Sequence, residues 1–196
     1  MRVATVIGIT LGLVCAGCQP TRQDSYDVLP TIGSTVPDFH YPTLGGSQAT
    51  RASLGGHPTV IALWATTCSK SRLALSAIES LHAEYTPLGA NIVILADDSD
   101  RAILNAVIDS ARIRTPVALA ASTLMTTFTH GQSRLPWRKV SPLPTFLVLD
   151  HGGRVVYRQI GIDRQPDQRL PAIRTLLDSM LRAVASEGAR PLSNVR

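Results

Sequence analysis

Apolar residues follow two rhythms along this chain, and the changes between them mark out elements. TVIALWA, residues 59–65, is apolar at nearly every position, rich in β-branched side chains and bounded by turn residues. It predicts a central strand covered on both faces. SKSRLALSAIESLHAEYTPLG, residues 69–89, then changes period. Leu73, Ala77, Leu81 and Tyr85 recur at every fourth position with Ile78 beside them, which predicts a helix with one apolar stripe. Pro87 and Gly89 end it. NIVILAD, residues 91–97, predicts a second buried strand, and SDRAILNAVIDSARI a second helix capped by Ser99 or Asp100. A short strand is expected at PVALA, one or two helical turns at STLMTTFTH, and a loop over residues 131–142. PTFLVLD, the tight turn HGG and RVVYRQIG predict a hairpin. DQRLPAIRTLLDSMLRAVAS predicts a closing amphipathic helix with Leu170, Ile173, Leu177 and Leu181 on one face. Strand–helix–strand–helix, then a hairpin and a helix, implies an α/β fold: a mixed sheet with helices on both faces.

The ends of the chain read differently. Met1 and Arg2 precede the apolar run VATVIGITLGLV, which is followed by the small-residue stretch CAGC. That is the layout of a secretory signal. LVCAGC resembles a bacterial lipoprotein signal, which implies removal of residues 1–17 and lipidation of Cys18. Gln19 after the cysteine resembles the outer-membrane sorting pattern. Residues 18–35 are polar and broken by Pro and Gly, so a tether is expected there, a domain over 36–187 and a disordered tail over 188–196. Among 196 residues, 44% are apolar and 17% charged, which favours a packed core over disorder. The net charge of +5 is spread without any run of Lys or Arg, so no nucleic-acid footprint is expected.

Charge and length leave the chemistry to the cysteines. There are three, Cys15, Cys18 and Cys68. Signal removal and lipidation would leave one thiol, Cys68, with no internal disulfide partner. It lies where a predicted strand hands over to a predicted helix, and the first-turn N–H groups and positive helix end favour a thiolate. Lys70 and Arg72 add positive charge nearby, and Ser71 is placed to donate a hydrogen bond to a thiolate one turn below it. His40, His57, His82, His130 and His151 are scattered without metal-ligand spacing, so neither a metal nor a cofactor is expected.

VPDFHYPTLGG, VIALWATTCSKSR and SPLPTFLVLDHGGRVV, in this order and at these spacings, resemble a thioredoxin-like protein of the TlpA-like branch of the AhpC-TSA, or redoxin, family. The resemblance spans roughly residues 33–185. It implies a three-layer α/β/α fold with a mixed central sheet. It also implies thiol–disulfide oxidoreductase activity in the periplasm, on protein or small-molecule thiols and disulfides. Carried over by position, Trp64, Ala65 and Thr66 match the lead-in to the motif and Cys68 the attacking cysteine. Pro144 matches the cis-proline. Trp64, Thr67, Leu143 and Pro144 are then expected to shape a substrate groove. Two positions depart from the pattern. Ser71 replaces the resolving cysteine, and Ala74 replaces an acidic residue common in such proteins. A two-cysteine cycle within one chain is therefore excluded, and a single-thiol cycle released by an outside thiol remains. The reading from another class is a redox-inactive, membrane-tethered binding protein with Cys68 as a small core filler. A peroxiredoxin reading is weaker, because Ala65 stands where the threonine three residues before the cysteine would be. Arg134, Trp137 and Arg138, in the loop before Pro144, are further candidates for a substrate surface.

Overall fold

A computed structural model describes residues 29–121, 123–128, 143–162 and 170–188. The predicted signal, Cys18 and the loop residues Arg134, Trp137 and Arg138 lie outside them.

A small antiparallel hairpin comes first, β1 (His40–Pro42) with β2 (Gln48–Thr50), followed by one 3-10 turn, Ala52–Leu54. The main elements are β3 (Thr59–Trp64), α1 (Ser69–Tyr85), β4 (Asn91–Ala96), α2 (Arg101–Ser110) and β5 (Val117–Leu119). They continue with α3 (Leu124–Phe128), β6 (Thr145–Leu149), β7 (Val155–Ile160) and α4 (Pro171–Gly188). Five strands form one mixed sheet in the order β5-β4-β3-β6-β7. β3 and β4 are parallel and in register from Thr59↔Asn91 to Trp64↔Ala96, whereas β6 runs antiparallel to β3.

Every residue of β3 is buried, as its unbroken apolar run requires. Successive side chains serve opposite faces. Val60, Ala62 and Trp64 pack with Leu75, Ile78 and Leu81 of α1, Leu104 and Ile108 of α2, and Ile173 and Leu177 of α4. Ile61, Leu63 and Ala65 pack on the other side with Leu124 and Phe128 of α3, with Tyr41 and Ala49 of the small hairpin, and with Leu29. The three-layer α/β/α arrangement is the expected one. Asp100 is the N-cap of α2, its side chain accepting from Ala102 N–H at 2.8 Å and Ile103 N–H at 3.1 Å. Gly153 takes the positive φ, 74°, in the turn between β6 and β7, where a Cβ would be strained.

Two expectations are corrected. Leu73 is 50% exposed, although four-residue spacing placed it in the α1 stripe. The buried line is Ala74, Leu75, Ala77, Ile78, Leu81 and Tyr85. Spacing fits either line, and packing against the sheet chooses the second. The end of the expected tether, residues 29–35, is packed on the sheet. Leu29 is 2% exposed, and Thr35 bridges to Arg154 beside β7. Gly33 N–H donates to Val155 C=O at 2.7 Å, and Val155 N–H donates to Ser34 C=O at 2.8 Å. Its polar composition hid an added edge segment. No helix among the described residues is long and apolar enough to cross a membrane.

Candidate active site

Parallel pairing brings the carboxyl ends of β3 and β4 to the same edge of the sheet, and antiparallel β6 begins there. The stretches 65–68, 97–98 and 143–144 therefore meet, in the region where α/β sheets place their sites.

Cys68 is the N-cap of α1, with extended φ and ψ of −94° and 116°. Its N–H donates to Ala65 C=O at 3.3 Å, closing a turn, and its carbonyl accepts from Arg72 N–H at 3.1 Å. The side chain is partly buried and makes no capping bond to the helix. Its thiol instead donates to Leu143 C=O at 3.4 Å, across 75 residues of sequence. The Leu143–Pro144 bond is cis, and both residues are buried. Cys68 and the Leu143–Pro144 loop thus lie together, with Thr67 exposed beside them.

Ser71 and Trp64 behave differently from expectation. Ser71 is fully buried, and its hydroxyl has no hydrogen-bond partner among the described residues, so the expected bond to Cys68 is not made. The thiol is a donor here and turns to a stronger acceptor, the Leu143 carbonyl. Trp64 is fully buried and lines no groove. Its indole N–H donates to Ser71 C=O at 2.6 Å and so ties the first turn of α1 to the end of β3.

The sequence reading missed two acidic residues. Asp98 is 8% exposed, and both carboxylate oxygens accept from Thr66 N–H, at 3.2 and 3.1 Å. The Thr66 hydroxyl donates to the same carboxylate. Arg72 donates to the Thr66 carbonyl at 3.3 Å. Asp97 holds the start of α3 through Leu124 N–H at 3.0 Å, and its own N–H donates to Trp64 C=O at 2.8 Å. Burial pushes the Asp97 carboxyl above its usual range; the Leu124 N–H opposes this and the neighbouring Asp98 charge adds to it. The available signal was an acidic pair ending a buried strand parallel to the one leading to Cys68. Among the described residues no group of three or more His, Cys, Asp or Glu could hold a metal.

A partly exposed cysteine capping the helix after the central strand, beside a cis-proline loop, defines a thioredoxin-like α/β protein. The chain belongs to the AhpC/TSA family, whose model matches residues 32–158. It is 29% identical over 131 residues to the thiol-disulfide oxidoreductase ResA of Bacillus thuringiensis (strain Al Hakam), covering 66% of this chain and 70% of that one. The ResA protein of Bacillus anthracis matches with the same identity and coverage. Among solved structures, a thioredoxin-family thiol:disulfide interchange protein from Chlorobium tepidum TLS superposes with a TM-score of 0.60 at 20% identity, covering 77% of this chain and 98% of that one. A thiol:disulfide interchange protein from Bacteroides sp. gives 0.62 at 14% identity, with 84% and 99% covered. These two likenesses establish the fold.

Proposed function

We propose that this protein is an exported thiol–disulfide oxidoreductase that works through the single cysteine Cys68, anchored by lipid at Cys18 to the periplasmic face of a bacterial membrane. The observation that carries the reading is the placement of the Cys68 thiol, partly exposed at the N-cap of α1 and 3.4 Å from the Leu143 carbonyl. A core filler would be sealed among apolar side chains, which speaks against the scaffold alternative. The similarity to the ResA oxidoreductases supports the same chemistry. The sequence LVCAGC supports the anchor.

The step is a disulfide exchange. Cys68 releases its proton to water, and Sγ attacks one sulfur of a disulfide R–S–S–R′. A Cys68–S–S–R bond forms, the original S–S bond breaks, and R′ leaves as a thiolate that takes up a proton. Cys68 is oxidised and R′ reduced. Ser71 carries no sulfur, so release falls to an outside thiol. That thiol attacks the R sulfur, takes R away as a new disulfide and returns Cys68 to the reduced state.

The test uses the chain with Cys15 and Cys18 replaced by serine, mixed with glutathione disulfide and followed by intact mass. The expected result is one adduct per chain, absent from the further variant Cys68→Ser and persisting until dithiothreitol is added. Labelling that occurs only after unfolding in urea would reject the enzyme reading and leave a binding scaffold.

A further inference from the structure

We propose that Asp98 and Arg72 are positioning residues that hold the Cys68 thiol in its attacking place by gripping Thr66 from both sides. This rests on the single-thiol reading above. Thr66 lies two residues before Cys68 and is engaged at every polar group it has. Its N–H and hydroxyl both donate to the Asp98 carboxylate, and its carbonyl accepts from the Arg72 guanidinium.

The geometry argues for position rather than for general stability. Asp98 comes from the end of β4, and Arg72 from the first turns of α1. The peptide between them is therefore fixed relative to both the sheet and the helix. From Thr66 the chain needs only Thr67 to reach Cys68, and the Cys68 N–H to Ala65 C=O bond makes the stretch a closed turn. The sulfur's direction toward the Leu143 loop follows from where that turn is pinned. A carboxylate that is 8% exposed carries a large desolvation cost, which the Thr66 donors offset. Asp98 is thus an acidic group tied to this loop from the segment that follows β4.

The hydroxyl contact separates placement from bulk packing. Thr66→Val keeps the shape of the side chain and removes only the hydroxyl donor. Thr66→Ser keeps the donor and removes a methyl group. The rate of reaction with 5,5′-dithiobis(2-nitrobenzoate) is measured on the chain whose only cysteine is Cys68, with each variant's melting temperature recorded alongside. A displacement of about an ångström slows an oriented attack by up to about a hundredfold. The expected result is a loss of about tenfold or more for Thr66→Val and Asp98→Asn, and a rate within about twofold of the parent for Thr66→Ser. Should Asp98→Asn fail to fold, the two Thr66 variants decide alone. Equal rates for Thr66→Val and the parent would overturn the positioning role while leaving the oxidoreductase reading intact. So would Thr66→Ser falling as far as Thr66→Val. A parent thiol that reacts no faster folded than unfolded would overturn both.

Discussion

Ser71 is the residue at which this site departs most from a two-cysteine design, and its surroundings say what the departure costs. It is the third residue of α1, fully buried, with a hydroxyl that no group among the described residues meets. A buried polar atom left without a partner costs about 1–3 kcal/mol. Ser71→Ala removes that atom with little change of shape, so it is expected to leave stability unchanged or raise it by about 1 kcal/mol, read by urea denaturation. Ser71→Cys tests the same slot from the other side. Residues three apart on a helix have Cβ atoms about 5–6 Å apart, and modest adjustment brings two cysteines within disulfide range. The variant is expected to form a disulfide between Cys68 and the introduced thiol on oxidation, and to shed a glutathione adduct without an outside thiol. Two free thiols persisting after oxidation would show that the slot cannot be closed. The sequence disclosed the serine itself. It could not disclose that the Cys68 thiol turns to the Leu143 carbonyl, 75 positions away.

At the scale of elements, the strands were the most legible part. TVIALW is buried on both faces, and such a run has few other readings. The Asp100 cap and the hairpin after Pro144 were legible for similar local reasons. Contacts made across the sheet were not. The Asp98 grip on Thr66 joins residues 32 apart, and Glu79 joins α1 to the turn before β5 over 35 and 36 residues. The Glu79 carboxylate accepts from Arg114 N–H at 2.9 Å, from Thr115 N–H at 3.0 Å and from the Thr115 hydroxyl at 2.8 Å. Burial alone would raise its pKa. The donors from Thr115 and Arg114, with the His82 charge, outweigh it and hold the group below 4.5. The sign follows from linkage: a carboxyl depressed in the folded state stabilises above its unfolded pKa, and loses that contribution as pH falls through its folded value. Glu79→Gln is therefore expected to be less stable than the parent near pH 7. The gap should close as pH falls below 4.5 and through the depressed value. Denaturant midpoints measured from about pH 7 to about pH 3 check it, and a gap independent of pH would place the effect in packing alone.

Across the whole molecule, the boundary of the domain is the feature that composition read least well. Polar residues with Pro and Gly between Cys18 and Thr35 look like a tether, but Leu29 and the stretch after it are part of the packed body. Leu29 enters the core layer that also holds Phe39, Phe128 and Val155, on the face of the sheet opposite α1 and α4. The Arg154 guanidinium donates to Gly33 C=O at 3.1 Å, and that of Arg158 donates to Leu29 C=O at 3.3 Å. This segment pairs with the start of β7, at Arg154 and Val155, where unpaired strand groups would otherwise face solvent. Leu29 is the side chain of this segment that enters the core, so it is the one to remove. Emptying a fully buried leucine site costs about 2–5 kcal/mol, and a segment at the sheet edge that can open locally lies toward the lower bound. Leu29→Ala is thus expected to lower stability by about 2 kcal/mol and to raise hydrogen exchange at the Gly33 and Val155 amides ahead of those of β3. Protection at Gly33 and Val155 equal to that of the parent would mean that the strand-edge hydrogen bonds hold the segment without the leucine. A loss shared equally by β3 would mean that the segment and the central sheet open as one unit.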